Sequence, residues 1–508
     1  MIAVVQPGEV ERFRAAVARR LGLYFEDAKA GFLSEVLHRR IEARGTDGAT
    51  YLTSLDNGTA TQECCALAEE LTVGETYFLR NVDQFRAFAE VCLPQRMRAR
   101  SGQRRVNVLS AGCASGEEAY TLVILARGHV PDPSWEIAIL GADINPAALA
   151  RAARARYSAW ALRETPPELR DRWFQPAGRE FQLDDTVRAG VKFELRNLVE
   201  DDPELWRPER YDVIFCRNVM MYFTPGQAQA LIDRIARSLA PGGYLFLGHA
   251  ETLRGLSQDF HLRHTHDTFY YQRREGIGPH AWTTRETALP PTLSAAAPLA
   301  VALDGSDSWV EAIRQASERV QVLTESPERS AAPAAAPPAP QRAPLSAAFD
   351  LLRQERFGEA LDQVRSLAPE SARDPDVLLL HAALLAYRGR LSEAEEWCVK
   401  LLELDELNAG AHYVCALCRE AAGDRKGAVD HDRAAAYLDP GFAMPRLHLG
   451  LIARRSGDRD AARRELELSL ALLQREDPSR LLLFGGGFGR DALVALCRAE
   501  LAATGWRP

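Results

Sequence analysis

Residues Ser110–Leu122, SAGCASGEEAYTL, follow the apolar positions Val106, Val108 and Leu109 and have the form of a strand that turns through glycine into a helix. Turns of this form usually direct backbone N–H groups at a phosphate. Here Glu117 and Glu118 occupy the first helical turn, where carboxylates suit the positive end of the helix dipole and repel an anion. The stretch therefore points to an α/β unit whose ligand brings a cationic end to the turn.

Outward from this turn, the region from about 84 to 274 alternates strand and helix. EIAILGADIN (136–145), YDVIFCRN (211–218) and GGYLFLGH (242–249) are short, nearly continuous apolar runs that end in small or polar residues. Strands buried on both faces with helices between them define a doubly wound parallel sheet. Ligands of such sheets sit at the carboxyl ends of the strands, near the point where strand order reverses. Glu118, Asp143, Asn197 in FELRNL and Asn218 all fall there. Taken singly, each has a plain structural role as a helix cap or dipole partner; four together favour a ligand.

Asp143, at the end of the second run, is placed to accept bonds from both hydroxyls of a ribose. It lies 31 residues beyond Gly112, and the chain has no G-x-G-x-x-G at this turn, which argues against a dinucleotide. A ribose, no phosphate and a cationic end describe S-adenosyl-L-methionine.

The flanking regions differ in kind. Residues 1–80 read as a helical domain, because Phe13, Val17 and Leu21, then Phe32, Leu33, Val36, Leu37 and Ile41, recur at helical steps. Residues 81–274 form the α/β domain, with a small inserted subdomain near 160–195. Residues 275–345 are rich in Pro, Ala and Ser, close with AAPAAAPPAPQRAP (331–344), and read as a linker interrupted by one short helix, SWVEAIRQASERVQVL (308–323). From 346 to 508 the chain repeats. Gly389, Gly423 and Gly457 are 34 residues apart, as are Ala360, Ala394, Ala428 and Ala462, and Ala348, Ala382, Ala416 and Gly450. That period with small residues at fixed places is the signature of tetratricopeptide repeats. The first repeat is degenerate, with Glu355 in place of glycine, and the final stretch from Asp477 reads as an atypical cap.

Composition sets bounds. A net charge of -8 argues against wholesale nucleic-acid binding. Nine scattered cysteines suit a reducing cytoplasm. The amino terminus lacks a charged region before an apolar core, and no apolar run reaches the roughly 20 residues of a membrane helix, so neither export nor membrane insertion is expected. Cys415 and Cys418 in CALC mark the buried face of a repeat helix. His261, His264 and His266 alternate along a terminal hairpin. No metal is expected at either.

Six motifs, LTVGETYFLR (71–80), SAGCASGEEAYTL, GADIN (141–145), RNL (196–198), YDVIFCRNVMMYF (211–223) and GGYLFLGHAETL (242–253), follow one another in an order that resembles the CheR-type chemoreceptor glutamate methyltransferases over roughly residues 10–274. The resemblance implies that Glu118 binds the amino group of the methionine part, Asp143 the ribose, and Asn197 with Leu198 the adenine side. Gly112, Arg217 and Asn218 would line the cofactor pocket. Thr76, Arg80 and Tyr222 would sit where methyl donor and substrate meet, Arg80 orienting the target carboxylate and Tyr222 holding Arg80 or the substrate. A glutamate carboxylate is already ionised at neutral pH, so its attack on a sulfonium methyl needs alignment and exclusion of water rather than a general base.

In the family the helical domain faces the acidic methylation helices of a methyl-accepting receptor, and Arg12, Arg14, Arg19, Arg20, Lys29, Arg39, Arg40 and Arg44 would steer that encounter. Two departures stand out. Gly74 replaces an Asn of many relatives. The segment WFQPAGREFQLDDTVRAGVKF (173–193) is shorter than the β-subdomain that docks a receptor tail pentapeptide in some relatives and lacks its glycine-rich loop, which leaves that contact open. The repeats would recruit a protein partner. The alternatives are a non-catalytic adaptor working through the repeats, and a methyltransferase of another carboxylate.

Overall fold

The computed structural model describes residues 6–57, 61–130, 132–275, 345–354, 356–367, 373–486 and 488–503. The chain divides into two compact units, Met1–Arg285 and Glu286–Pro508. The expected linker helix 308–323, the Ala/Pro tract 331–344 and Glu355 lie outside the described residues.

The first unit opens with α1 (Pro7–Leu21), α2 (Ala30–Arg44), α3 (Gly48–Asp56) and α4 (Thr61–Leu71). Their shared core holds Phe13, Val17, Leu21, Leu33, Val36, Leu37 and Ile41, as the helical spacing predicts. Phe32 departs from the expectation: it flanks the stripe, is 41% exposed and touches Phe25 at 6.2 Å between ring centroids. The helical reading also overran at its end. Residues 72–81 are not helical, and Leu79 and Asn81 adopt left-handed backbone angles with φ near 60°, which breaks any helix made of L-residues.

The expected basic face is largely cancelled by the domain's own acids. Arg12 and Arg19 pair with Asp56 at 2.7 and 2.6 Å, Arg39 with Glu70 at 2.8 Å, Arg40 with Glu63 at 2.7 Å, and Arg14 with Glu11 at 2.8 Å and with Asp27. Arg20 donates to the Leu55 carbonyl at 3.0 Å. These arginines hold the helices together, which leaves little free positive charge for steering.

A seven-stranded sheet follows: β1 (Arg105–Ala111), β2 (Glu136–Asp143), β6 (Val191–Leu195), β7 (Tyr211–Cys216) and β8 (Leu239–Leu247), closed by the hairpin β9 (Phe260–Thr265) and β10 (Thr268–Arg273). Its order is β6-β2-β1-β7-β8-β10-β9, parallel except for the hairpin, so strand order reverses between β1 and β7. α5 (Val82–Ala87), α7 (Glu117–His129), α8 (Pro146–Arg154) and α11 (Pro225–Ser238) are among its helices, and α6 (Leu93–Ala99) continues α5 through a wider turn at Phe88–Cys92. Every residue of β7 is buried. Phe85, Phe215 and Phe246 stack in sequence, with centroids 5.6 and 4.4 Å apart. Side chains alternate along a strand, so this aromatic stack fixes the angle at which β7 delivers the residues after it.

Between α8 and β6 lies a second sheet, antiparallel and three-stranded, of β3 (Arg156–Tyr157), β5 (Glu180–Leu183) and β4 (Phe174–Ala177) in that order. The hairpin β4–β5 turns through Gly178 and Arg179 alone, Gly178 at φ 73°. α9 (Pro167–Trp173) and α10 (Asp185–Arg188) flank it.

The second unit is helical. α12 (Ser346–Arg353) and α13 (Phe357–Arg365), α14 (Pro375–Tyr387) and α15 (Leu391–Leu404), α16 (Ala409–Ala421) and α17 (Arg425–Leu438), and α18 (Ala443–Arg455) and α19 (Arg459–Leu473) form four pairs, followed by α20 (Pro478–Phe484) and α21 (Arg490–Ala503). The second helices begin at 357, 391, 425 and 459, in step with the sequence period. Ala360, Ala394, Ala428 and Ala462 are fully buried. A Cβ at Gly450 would lie 2.6 Å from the Leu466 side chain, so helices cross too closely there for any larger residue. Gly389, Gly423 and Gly457 all take positive φ, between 69° and 84°, at the turns within pairs, which is why glycine recurs there. Cys415 and Cys418 are buried in α16.

Candidate active site

All ten residues singled out from the sequence line one of two adjoining cavities at the carboxyl ends of the strands. The first is bounded by Gly112, Asp143, Asn197, Leu198, Asn218 and Tyr222, with apolar walls from Leu21, Leu23, Ile144 and Phe223. The second is bounded by Thr76, Arg80, Gly112, Glu118, Arg217, Asn218 and Tyr222. Gly112, Asn218 and Tyr222 border both, so the two form one cleft at the switch point.

Gly112 follows β1 directly with φ 74°, and a Cβ there would lie 2.5 Å from Val219 Cγ2. Only glycine lets this turn pass so close to the loop after β7. Asp143 accepts N–H bonds from Ala114 at 2.8 Å on one oxygen and from Asn145 at 2.8 Å on the other. A carboxylate has about four acceptor positions, so these donors leave it capacity to accept from a ligand. Burial pushes its pKa up, against the pull of those backbone donors.

Glu118 accepts from the Ser110 hydroxyl at 2.7 Å and pairs with Arg217 Nη1 at 3.3 Å. Burial raises its pKa, while Arg217 and Ser110 draw it back. Arg217 itself is 7% exposed, donates to the Arg80 carbonyl and lies over the Phe85 ring at 5.2 Å; among the described residues its Nε has no partner. The neighbouring Glu117 points inward: Ser115 donates to it at 2.8 Å, and burial lifts its pKa to about 7. The two glutamates that look alike in sequence thus separate, one into the cleft and one into the core.

The helical part closes the cleft from above. Asn197 donates to the Arg20 carbonyl at 2.8 Å, Gln227 to the Ala18 carbonyl at 2.6 Å, and Tyr24 N–H to the Tyr222 carbonyl at 2.7 Å. Asn145 donates to Thr72 at 2.9 Å, tying the extended segment 72–77 to the end of β2. That segment supplies Val73, Gly74, Glu75, Thr76 and Tyr77 to the cavity walls. A Cβ at Gly74 would meet Arg151 Nη2 at 3.4 Å.

Sequence reasoning missed Glu251. Its carboxylate accepts from the N–H groups of Asn218 at 2.7 Å, Gly248 at 2.8 Å and Met221 at 3.3 Å, and so holds the loop in which Asn218 takes a left-handed φ of 59°. The only signal was an acid three residues past Gly248, the glycine that follows β8. Ser110 was also passed over, because a serine inside an apolar strand carries no mark of its partner.

Among the described residues no group of three His, Cys, Asp or Glu side chains is arranged to hold a metal ion, and no helix is long and apolar enough to cross a membrane.

Residues 74–269 match the family described as CheR methyltransferase, SAM binding domain. Chemotaxis protein methyltransferase 2 of Vibrio cholerae serotype O1 is 33% identical over 269 residues, spanning 52% of this chain and 93% of that protein. The probable chemotaxis protein methyltransferase of Rhizobium etli is 30% identical over 271 residues, 51% of this chain and 97% of that one. The probable biofilm formation methyltransferase WspC of Pseudomonas aeruginosa is 29% identical over 458 residues, 89% of this chain and 96% of its own length. A cleft at the switch point with this set of side chains, and relatives matched over nearly their whole length, make the chain a member of the CheR family of S-adenosylmethionine-dependent chemotaxis protein methyltransferases.

Proposed function

We propose that the protein methylates glutamate carboxylates in the cytoplasmic helices of a methyl-accepting chemoreceptor, giving methyl esters that adapt a chemosensory signal. The observation that carries this reading is the place of Arg80: a guanidinium lining the second cavity beside Tyr222 and Glu118 suits a carboxylate brought to the rim. Within this reading residues 1–80 face the substrate, 81–274 hold the cofactor and perform the transfer, 275–345 link, and 346–508 recruit a protein partner.

The cleft residues fit S-adenosylmethionine. A zwitterionic amino-acid end is complementary to Glu118 and Arg217, an anion and a cation held 3.3 Å apart, with an Arg217 Nε beside them that no described residue engages. The free acceptor positions of Asp143 suit ribose hydroxyls, and Leu21, Leu23, Ile144 and Leu198 offer apolar walls to a base. When bound, the cofactor supplies an electrophilic sulfonium methyl. Arg80 orients the incoming carboxylate, Tyr222 closes the boundary between the two cavities, and the N-terminal helices exclude water.

The reading is tested by incubating the protein with labelled methyl donor and purified receptor cytoplasmic fragments, then mapping base-labile label. Label confined to receptor glutamates supports it; label that stays on other proteins or small acids overturns it. The match to WspC extends over 89% of this chain, whereas the Vibrio cholerae relative matches 52%; this favours a pathway of the biofilm-forming kind as the setting for the same chemistry.

Two expected outcomes follow for the cofactor site. Asp143→Ala removes the ribose acceptor, worth roughly 1.5–3 kcal/mol, so calorimetry should show cofactor affinity falling by about tenfold to a hundredfold. Unchanged affinity would remove Asp143 from the site. Affinity should also depend on pH through Glu118. Its pKa is raised in the free protein by burial, and a bound cation lowers it, so affinity is constant above the raised pKa and declines as pH falls through it. Titrations from neutral to mildly acid pH should show that decline in the wild type and a flatter profile in Glu118→Gln; parallel profiles would discount the contact.

A further inference from the structure

Between α19 and α21 the chain does something the repeat does not require. α21 packs on α19, so the two ends of the connecting segment are anchored to the same place. The segment nevertheless leaves α19, crosses the first helices of the preceding pairs as α20, and returns. Tyr387 of α14 donates to the Leu482 carbonyl at 2.7 Å. The Phe484 ring sits 5.8 Å from Tyr413 of α16 and 5.0 Å from Phe442, centroid to centroid. Gly410 makes room for it, since a Cβ there would lie 2.9 Å from Phe484 Cζ. Arg480, 3% exposed, pairs with Asp439 at 3.0 Å and lies 4.4 Å over the Phe442 ring. Glu476 accepts the N–H of Ala443 at 2.6 Å, at the start of α18.

Such contacts are those of a peptide helix lying in a receptor groove: a buried cation shared between Asp439 of the groove at 3.0 Å and Glu476 of its own segment at 3.2 Å, and one large ring, Phe484, seated among the aromatic side chains Tyr413 and Phe442. The fit is incomplete. A cavity of about 570 Å³ remains between the segment and the first pair, lined by Leu352, Phe357, Leu481, Leu482 and Phe488. Phe488 is 60% exposed, and glycines 485, 486 and 489 surround it.

We propose that the groove lined by α14, α16 and the start of α18 is the repeat unit's binding surface, and that Glu476–Gly486 is a resident occupant which a partner's helical segment of the same chemistry displaces. That chemistry is an acidic or proline start, an arginine in the first turn, and then three or four consecutive large apolar residues. Because both ends of the strap are held by α19, release opens the groove without removing the cap. The inference rests on the reading that the repeats recruit a partner only for the source of the displacing segment.

Two measurements test it, neither of which uses a partner protein, so the recruitment reading fails separately. In the wild-type full chain, amide hydrogen exchange at 481–486 should be at least about tenfold faster than in α16 and α18, because a displaceable strap opens by itself. Exchange at the same rate as those helices would make the segment part of the repeat core and overturn the proposal. In a full-length Arg480→Ala/Phe484→Ala variant, a labelled synthetic peptide of residues 476–488 should bind at least about tenfold more tightly than to the wild type, read by fluorescence anisotropy. Equal binding to both proteins overturns the proposal. Should the variant fail to fold, the exchange measurement on the wild type decides alone.

Discussion

Arg80→Ala is expected to lower kcat by about a hundredfold or more, with the thermal transition and cofactor affinity nearly unchanged. The separation follows from how Arg80 is held. Its backbone carbonyl is gripped by Arg217, a contact that truncation of the side chain leaves in place. Its guanidinium reaches the Glu75 carbonyl at 3.2 Å and lies 5.8 Å from the Tyr77 ring. Both are weak tethers on the rim, and neither belongs to the core. What truncation removes is a cation lining the second cavity, which in the proposed function aligns the substrate carboxylate with the methyl group. Steady-state kinetics with a receptor fragment, together with calorimetry of the cofactor, checks this. A variant that turns over at the wild-type rate would take Arg80 out of the reaction, and one that loses cofactor affinity equally would move its role to binding.

Asp212→Ala should destabilise the first unit by about 3–5 kcal/mol, seen as a fall in Tm on the order of 10 °C. Asp212 is fully buried in β7. It accepts from Arg96 at 2.8 Å, Arg100 at 2.8 Å and the Asn107 N–H at 3.0 Å. Arg96 is only 6% exposed and also donates to the Pro241 carbonyl at 2.9 Å. Removing the carboxylate leaves that cation buried without its counter-charge, which costs far more than the intact pair contributes. Replacing both partners by apolar groups of similar size should cost much less. A fall below about 2 °C in differential scanning calorimetry would mean that water or another acid takes over, and the account of this ion pair would be wrong.

The cleft was legible in the sequence to the extent that local chemistry and chain direction determine it. Apolar runs ending in Gly112, Asp143 and Asn218 place those residues at strand ends, because a doubly wound sheet collects its carboxyl ends on one side. The 34-residue period was legible for the same kind of reason: each pair of helices buries its small residues against its own neighbours, so the pattern is local and repeats. Partners distant in the chain are not legible in this way. The arginines of α1 and α2 are expected to steer a receptor, and the structure pairs several of them with Asp56, Glu63 and Glu70 of α3 and α4. Hydropathy spacing records that a side chain leaves the core, without recording what waits for it there.

The alternation of strand and helix, the polar residues at the strand ends and the repeat register can be read from the order of amino acids, since each follows from backbone hydrogen bonding and from which side chains avoid water; the reversal between β1 and β7 is a property of the folded sheet. Long-range packing settles which of two adjacent glutamates enters the cleft, which acid holds the Asn218 loop, and what packs across α14 and α16. Glu117 and Glu118 differ by the 100° turn of a helix, and the sheet beneath them, not their own chemistry, sends one toward Arg217 and the other toward Ser115. Glu251 lies 33 residues from Asn218, and Phe484 lies 71 from Tyr413. Closure of such distances depends on the whole chain's packing, because a carboxylate or an aromatic ring has many equally good partners and only the finished fold selects one.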